Sequence, residues 1–276
     1  MPELPEVEMV VRHLRSLLIG RRIVRARLLR PRLAPGLSPR QFGARLRGGK
    51  IGRVERRGKH IVIDLDNGWT WVTHLRMSGR FLLSGIEPVE FPFTHATFDL
   101  DSGRRLLFTD QRHFGLMMVV RRAELEAVDA LRRLGPEPFD EAFSVEYLKL
   151  KCHQCRQPIK LFLLDQTKVV GLGNIYAAEA LHRAAIDPRR TAASLTPSQL
   201  ERLQAEIRKV LHEAIEVGST LNTDPQEIYG RYGSGAFEDN WRVYDREGEA
   251  CLSCAAKVER IAQGGRSTYF CPACQR

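Results

Sequence analysis

The sequence predicts an α+β protein with an antiparallel β half followed by a helical half and a metal-bound tail. Three observations predict it. Apolar residues alternate with period two, broken by turn dipeptides, across residues 23–120. Beyond the breaker cluster Leu134-Gly135-Pro136-Glu137-Pro138 the spacing becomes helical. The last 26 residues hold Cys251-x-x-Cys254, sixteen intervening residues, and Cys271-x-x-Cys274.

The chain opens Met1-Pro2-Glu3-Leu4-Pro5-Glu6-Val7-Glu8. Pro5 suits a helical first turn, and Val7, Val10, Val11, Leu14, Leu17 and Leu18 then recur at helical spacing up to the stop at Gly20. Removal of Met1 would leave Pro2 as a free secondary amine. An α-amino group titrates at about 7.7–8, so part of it is neutral near pH 7 and can attack an aldehyde-level carbon to form an iminium. Glu3 and Glu6 are close enough in sequence to relay protons for that chemistry. The same two acids also suit a first helical turn that does no chemistry, since they answer the helix dipole.

Residues 23–29 read as a first strand and 30–50, rich in Arg, Pro and Gly, as loop. Strands follow at 51–54 and 61–65 around the basic turn Arg56-Arg57-Gly58-Lys59, then at 69–72 after the hairpin signal Asp66-Asn67-Gly68. Further strands fall at 81–83, 96–100, 105–108 and 116–120, and Ala123 to Leu134 reads as a helix. Many short strands with regular turns indicate a sandwich or a barrel. Lys59 is either an exposed hairpin lysine or a phosphate contact. Met77, in His74-Leu75-Arg76-Met77-Ser78-Gly79, and Phe114, in Asp110-Gln111-Arg112-His113-Phe114-Gly115, are either core residues or wedges. As wedges they would fill the hole left by an extruded base, with Arg112 bonding the orphaned partner base.

In the helical half, helices read at 144–155 behind the cap Ser144, at 159–165, at 174–185 and from Thr196 to Glu216. The glycine connection Gly171-Leu172-Gly173 leads into Asn174, so backbone N–H groups and the positive dipole end are offered to a phosphate. Residues 219–250 read as a polar loop that orders on binding, followed by a strand at 241–244. The tail pattern matches a structural Zn2+ site with Cys251, Cys254, Cys271 and Cys274 as ligands, and a hairpin over 258–261 and 267–270 puts Arg266 at its turn. Cys152 and Cys155 form a third pair inside a predicted helix and read as ordinary helix residues. The chain thus divides into 1–135, 136–240 and 241–276.

With 276 residues, 43% hydrophobic and 28% charged, this is the composition of a soluble globular protein of more than one domain. No apolar run reaches membrane-spanning length, and the N-terminus carries acids where a secretory signal would carry bases, so a cytoplasmic protein is expected. The net charge of +10, distributed along the chain, points to a polyanion, with nucleic acid foremost. No coiled-coil or swap signal is present, and a monomer is expected.

These motifs, in this order, resemble the formamidopyrimidine-DNA glycosylase/endonuclease VIII family of base-excision repair enzymes. The resemblance covers essentially the whole chain: the Pro2–Glu8 run, Arg57-Gly58-Lys59, His74–Gly79, Arg112 and Phe114 before Gly115, Leu164-Asp165-Gln166 through Gly171-Leu172-Gly173-Asn174-Ile175-Tyr176, and Gly265-Arg266-Ser267-Thr268-Tyr269-Phe270-Cys271-Pro272. It implies a two-layer β-sandwich with helices (the catalytic 1–135), a helix–two-turn–helix DNA-binding domain (136–240) and a zinc ribbon (241–276). It implies that Pro2 attacks C1′ of a damaged nucleotide, that Glu3 is the general acid/base with Glu6 in support, and that Lys59 transfers protons and holds phosphate. Met77, Arg112 and Phe114 would fill the void, and His74, Lys160, Asn174 and Arg266 would hold DNA. The partner implied is damaged double-stranded DNA, and binding it would associate this cytoplasmic protein with the nucleoid. The reaction implied is excision of an oxidised purine followed by β- and δ-elimination, leaving a single-nucleotide gap. The chain departs from the family pattern at Gln111 and His113, where Pro and Arg are usual, at Ser219-Thr220 in place of a double glycine, and at Tyr244–Ala250. Those departures keep two narrower enzymes in view, an excisor of oxidised pyrimidines and a lyase of abasic sites alone. A zinc-ribbon DNA-binding protein without catalysis is the alternative from another class.

Overall fold

A computed structural model describes residues 2–85, 91–223, 230–232 and 236–276; of 221–223 and 230–232 it describes the backbone. The chain separates into two compact units, Met1–Arg132 with Gly218–Gly235, and Arg133–Val217 with Ala236–Arg276.

The first unit opens with helix α1 (Leu4–Leu18), whose Pro5 lies in the first turn and whose Val7, Val10, Val11, Leu14 and Leu18 are buried. Two four-stranded antiparallel sheets follow. Strands β1 (Ile23–Leu28), β6 (Thr94–Leu100), β7 (Arg105–Asp110) and β5 (Gly79–Ser84) form one, in the order β1-β6-β7-β5. Strands β2 (Ile51–Arg57), β3 (His60–Leu65), β4 (Trp69–His74) and β8 (Leu116–Arg121) form the other, in the order β2-β3-β4-β8. Their inner faces share one core. Trp71 from β4 stacks on Phe98 from β6 at 4.2 Å and meets Phe81 from β5 edge-on at 5.8 Å. The architecture is therefore a sandwich, as expected.

Two expectations fail here. Residues 30–50 are not all loop, because Pro39–Leu46 form helix α2. Ser38 caps it and exchanges hydrogen bonds with Gln41, and Phe42 and Leu46 are buried. The signature Ser-Pro-x-Gln was present in the sequence but lay among basic residues. The helix read over Ala123–Leu134 is instead a 3-10 segment, Arg122–Ala127, and a single turn α3, Asp129–Arg132. Neither buries a side chain, so no packing free energy drives a longer helix. A short hairpin of β9 (Leu221–Thr223) and β10 (Gly230–Tyr232) completes the unit. The rest of the predicted binding loop, 224–229 and 233–235, lies outside the described residues, as does Met1.

The second unit contains α4 (Val145–His153), α5 (Ile159–Leu164), α6 (Asn174–Arg183) and α7 (Pro197–Glu216). Ser144 caps α4, and Thr196 forms a capping box with Gln199 at α7. The α5–α6 connection is stapled by Gln166. Its Nε2 donates to the carbonyls of Leu164 and Leu172 at 3.0 and 2.8 Å, and its Oε1 accepts from Gly171 N–H at 3.0 Å. Gly171 has φ 90°, which suits glycine. The tail forms the hairpin β11 (Glu259–Gln263) and β12 (Arg266–Phe270) around Gly264 and Gly265, both with positive φ.

The strand expected at 241–244 is absent. The N–H groups of Arg242, Val243 and Tyr244 all donate to the buried Glu179 carboxylate of α6, at 2.9, 3.0 and 2.9 Å. A chain wrapped around one carboxylate cannot also present those donors to a neighbouring strand. Cys152 is buried on α4, where desolvation pushes its thiol up to about 12, and Cys155 follows the helix end; both are free thiols.

Candidate active site and nucleic-acid surfaces

Pro2 is buried immediately ahead of α1, and Glu3 is the N-cap residue. The Glu3 backbone N–H donates to Glu6 Oε2 at 2.8 Å, while the Glu3 side chain accepts from the backbone N–H of Glu6. This reciprocal box fixes both carboxylates, each almost fully buried, next to Pro2. The other Glu6 oxygen, Oε1, accepts from the Thr220 hydroxyl at 2.9 Å and from its N–H at 3.4 Å. Ser219, just before, adopts left-handed backbone at φ 61°. The double glycine that the resemblance led one to expect is thus replaced by a serine that takes a glycine-like conformation and a threonine that grips the acid. Sequence reasoning missed Thr220; the pairing spans 214 residues and leaves no local signal.

The β2–β3 hairpin closes over Gly58 (φ 58°) and Lys59, with Arg57 paired to His60. Lys59 is buried, so it is not an exposed hairpin lysine. Arg56 on the same strand pairs with Glu8 of α1 at 3.1 Å, and Arg15 of α1 donates to Val54 O at 3.0–3.1 Å. Those bonds fasten the helix that begins after Pro2 to β2, the strand that leads into the Gly58–Lys59 turn. Next to Lys59, His60 and His74 meet edge-on at 4.7 Å. Burial drives His60 down to about 4 and holds His74 far below the ordinary histidine range, with the charges of His60, Arg76 and Lys59 adding to the effect on His74. Both rings are therefore neutral at pH 7. His74 Nδ1 accepts the Arg76 N–H at 3.0 Å, an orientation that leaves Nδ1 without its proton.

One buried acid organises the wedge residues. Asp110, at the end of β7, accepts from the Ser78 hydroxyl and from Arg112 N–H (3.2 Å) on Oδ1, and from Gly115 N–H (2.6 Å) on Oδ2. Ser78 Oγ in turn accepts a bond from Arg112 N–H at 2.9 Å. Two loops distant in sequence, 75–79 and 111–115, are tied together in this way. Gly79 makes the close approach possible, since a Cβ there would lie 2.5 Å from Leu75 O and 2.8 Å from Phe108 Cζ. The result is that Met77 (38% exposed) and Phe114 (52% exposed) stand out from the sandwich, and the Arg112 guanidinium lies 5.3 Å over the Phe114 ring. They are not core residues. Asp110 and Ser78 were legible only as neighbours of the wedges in sequence.

In the second unit Lys160 is fully buried (0% exposed), and its ammonium donates to Ser267 O at 2.9 Å and Thr268 Oγ1 at 2.7 Å. Asn174, the first residue of α6, donates from Nδ2 to the same Ser267 carbonyl at 2.9 Å, and its Oδ1 is buried without a hydrogen-bond partner among the described residues. Lys160 and Asn174 therefore converge on the residue after Arg266, which is exposed at the hairpin turn. Arg266 is a cation held on a rigid two-strand support.

The Sγ atoms of Cys251, Cys254, Cys271 and Cys274 all lie within 4.8 Å of one another. A tetrahedral zinc with bonds of about 2.3 Å has S···S edges of about 3.8 Å; two of the edges here are 3.9 Å (Cys251–Cys274) and 3.4 Å (Cys254–Cys271). The donor set and its size fit one structural zinc ion. Sequence reasoning missed His182 of α6, whose Nε2 lies 3.5 Å from Cys251 Sγ. A thiolate only accepts, so Nε2 carries the imidazole proton, in the manner of the outer-shell donors that hold metal ligands in place. Glu179 and His182, three residues apart on one face of α6, both secure the ribbon.

Comparison with known proteins gives a consistent picture. Residues 1–117 match the family model of the formamidopyrimidine-DNA glycosylase N-terminal domain, 134–225 that of the formamidopyrimidine-DNA glycosylase H2TH domain, and 248–276 that of the zinc finger found in FPG and IleRS. The chain is 45% identical over 277 residues to a formamidopyrimidine-DNA glycosylase of Chloroflexus aurantiacus, covering 100% of this chain and 98% of the relative. It is 41% identical to that of Pelotomaculum thermopropionicum, over 100% and 99% of the two chains. Among solved structures, the Lactococcus lactis Fpg in complex with DNA containing an abasic site aligns with TM-score 0.91 at 31% identity, over 99% of both chains. A MutM complex with DNA containing carbocyclic 8-oxo-G aligns with TM-score 0.91 at 32% identity, over 100% of both.

Proposed function

The chain belongs to the formamidopyrimidine-DNA glycosylase family, and from that premise we propose that it is a DNA glycosylase and abasic-site lyase that removes oxidised purines from duplex DNA through its N-terminal proline. The observation that carries this reading is that Pro2 is buried immediately ahead of α1, whose N-cap Glu3 and first-turn Glu6 are both buried and fixed by their reciprocal hydrogen bonds.

In the neutral amine, the Pro2 nitrogen attacks C1′ of the extruded nucleotide. The C1′–base bond breaks, and the base leaves with the bonding pair and takes up a proton from solvent; Glu3 accepts the N–H proton left on Pro2, which restores the nitrogen lone pair. The sugar ring then opens: O4′ departs from C1′ and is protonated by Glu3, while the nitrogen lone pair forms the C1′=N iminium. The iminium acidifies C2′–H. Loss of that proton expels the 3′ phosphate, and a second elimination expels the 5′ phosphate; water then hydrolyses the iminium and frees Pro2. Glu6, held by Glu3 and Thr220, keeps Glu3 in register. Lys59, with neutral His74 beside it, serves phosphate and proton transfer at the departing oxygens. Met77, Arg112 and Phe114 occupy the space vacated by the base, at a modest cost in unstacking. Arg266 and the backbone N–H groups at the Asn174 end of α6 hold backbone phosphates. Lys160, expected from the sequence to touch DNA, is fully buried and supports the Arg266 hairpin from beneath through Ser267 and Thr268, as the Asn174 side chain does through Ser267. Zinc would fix the ribbon that carries Arg266. The partner is damaged double-stranded DNA and the working species a monomer, in the cytoplasm and on the nucleoid. Among the described residues, no helix is long and apolar enough to cross a membrane.

The test is product analysis. Met1-free protein incubated with a duplex containing 8-oxoguanine should release the free base and leave phosphates at both ends of the gap. A panel with oxidised pyrimidines and with abasic sites separates the narrower alternatives. Tight binding to all duplexes with no released base and no strand break would establish the non-catalytic reading.

A further inference from the structure

His113 lies between Arg112 and Phe114 in left-handed backbone (φ 61°), and nothing in the chemistry above uses it. Its Nδ1 is 2.9 Å from Nε2 of His95, with the two rings nearly parallel (8°) and their centroids 4.9 Å apart. His95 is 4% exposed and sits where the β6–β7 register shifts between Thr94 and Ala96. Such an irregularity takes a residue out of the regular ladder and re-aims its side chain. Phe93 closes the other side, edge-on to His113 at 6.0 Å. The charged groups acting on His95 are Asp110 from β7 and Arg30 from the segment after β1, while the guanidinium of Arg112, next in the loop, lies over the Phe114 ring.

Two imidazole nitrogens at this distance share a single proton, one ring donating and the other accepting. The bond persists when both rings are neutral and when the pair carries one extra proton. It fails when both rings are cations, because each nitrogen is then a donor.

Resting on the glycosylase reading, we propose that His95 and His113 are positioning residues, whose imidazole–imidazole hydrogen bond clasps the Arg112–Phe114 loop to β6 for insertion into DNA and opens when both rings are protonated. The clasp is a second fastening, independent of Asp110, which holds the loop by its backbone. Burial lowers the proton affinity of His95, Asp110 opposes that effect, and the charges of His113 and Arg30 add to it. The loop therefore stays fastened at neutral pH and is released in acid.

The experiment uses full-length protein and a duplex containing a tetrahydrofuran abasic-site analogue, which binds without reaction. Affinity relative to undamaged duplex is measured from about pH 5 to about pH 8, the range over which histidines titrate. In wild type this ratio is expected to be flat near neutrality and to fall about tenfold in acid, the equivalent of one hydrogen bond. The His113→Asn variant tolerates the left-handed backbone, keeps a bonding group near the Nδ1 position and does not titrate; it should hold the neutral ratio across the range. His113→Ala should show a ratio about tenfold lower at every pH. An acid fall that persists in His113→Asn, or an Ala variant equal to wild type, overturns the clasp. Imidazole 15N resonances of the free protein give a reading without DNA: the shared pair shows one protonated and one bare nitrogen at neutral pH and titrates as a unit. Two independent titrations at ordinary histidine values overturn it as well. Failure of the glycosylase reading has a different signature, intact lesion duplex in the product assay, and leaves the binding ratios and the resonances unchanged.

Discussion

Replacing Asp110 by asparagine is the most discriminating single change in the first unit. The carboxylate is fully buried and accepts three bonds, from the Ser78 hydroxyl, Arg112 N–H and Gly115 N–H. Asparagine has one acceptor oxygen where aspartate has two. If that oxygen stays on Gly115, the amide NH2 faces Arg112 N–H and the Ser78 hydroxyl. If it stays on Ser78, the NH2 faces Gly115 N–H, donor against donor. Hydrogen bonds to a charged group contribute about 1.5–3 kcal/mol each, and Ser78 can rotate to recover part of the loss, so the cheaper orientation costs about 2–3 kcal/mol. For a unit of this size that lowers the melting temperature by roughly 5–10 °C. Calorimetry measures the stability, and affinity for a damaged duplex against an undamaged one measures the function. Binding to undamaged DNA, governed by phosphates, should keep its salt dependence. Preference for damage should fall, because the same bonds place Arg112 and Phe114. Ser78→Ala combined with Asp110→Asn should show a coupling of about 1–2 kcal/mol, since the two share a bond. A melting temperature within 2 °C of wild type, together with unchanged preference for damage, would refute the scaffold role.

Other consequences follow from the same geometry. Thr220→Val removes the hydroxyl that grips Glu6 Oε1; turnover should fall about five- to tenfold with little change in DNA affinity, and single-turnover kinetics separate the two. His60 has a native value near 4 against an ordinary 6.5. The unfolded chain therefore binds a proton that the native one does not. The stabilisation from this group is complete above about pH 6.5 and is lost as pH falls towards 4, amounting to about 3 kcal/mol in total. His74 acts in the same direction, and urea melts at pH 7 and pH 5 measure the sum. Zinc removal by a chelator should weaken DNA binding while the iminium chemistry at Pro2 survives. His182→Phe should release zinc faster and shift the thiolate-to-metal charge-transfer bands of cobalt-substituted protein; unchanged bands and release rate would show that the Cys251 contact is incidental.

The parts legible in sequence were those with a local pattern. Alternation and turn dipeptides marked the strands of the sandwich, and the paired cysteines marked the zinc site, because each is set by neighbours within a few residues. Helix α2 had its caps in plain view, yet its apolar face is only Phe42 and Leu46 within a basic stretch. The stretch after β8 has helical composition, but helical composition without a buried face did not yield a long helix. At 241–244 strand-forming residues lost to one distant carboxylate, Glu179. The same applies within the site. Pro2, Glu3 and Glu6 are adjacent and could be read together, whereas the Thr220 grip on Glu6, the Asp110 fastening of two loops and the His95–His113 pair connect residues that only the fold brings into contact.

The most direct measurement is mass spectrometry of the peptide cross-linked to an abasic-site duplex by borohydride. Reduction converts the C1′ iminium into a stable amine, so the attached residue is the nucleophile. The expected result is a sugar remnant on an N-terminal peptide that begins at Pro2, and no cross-link from protein that retains Met1. A remnant on Lys59 or another lysine, or equal cross-linking by the Met1-bearing form, would contradict a proline nucleophile.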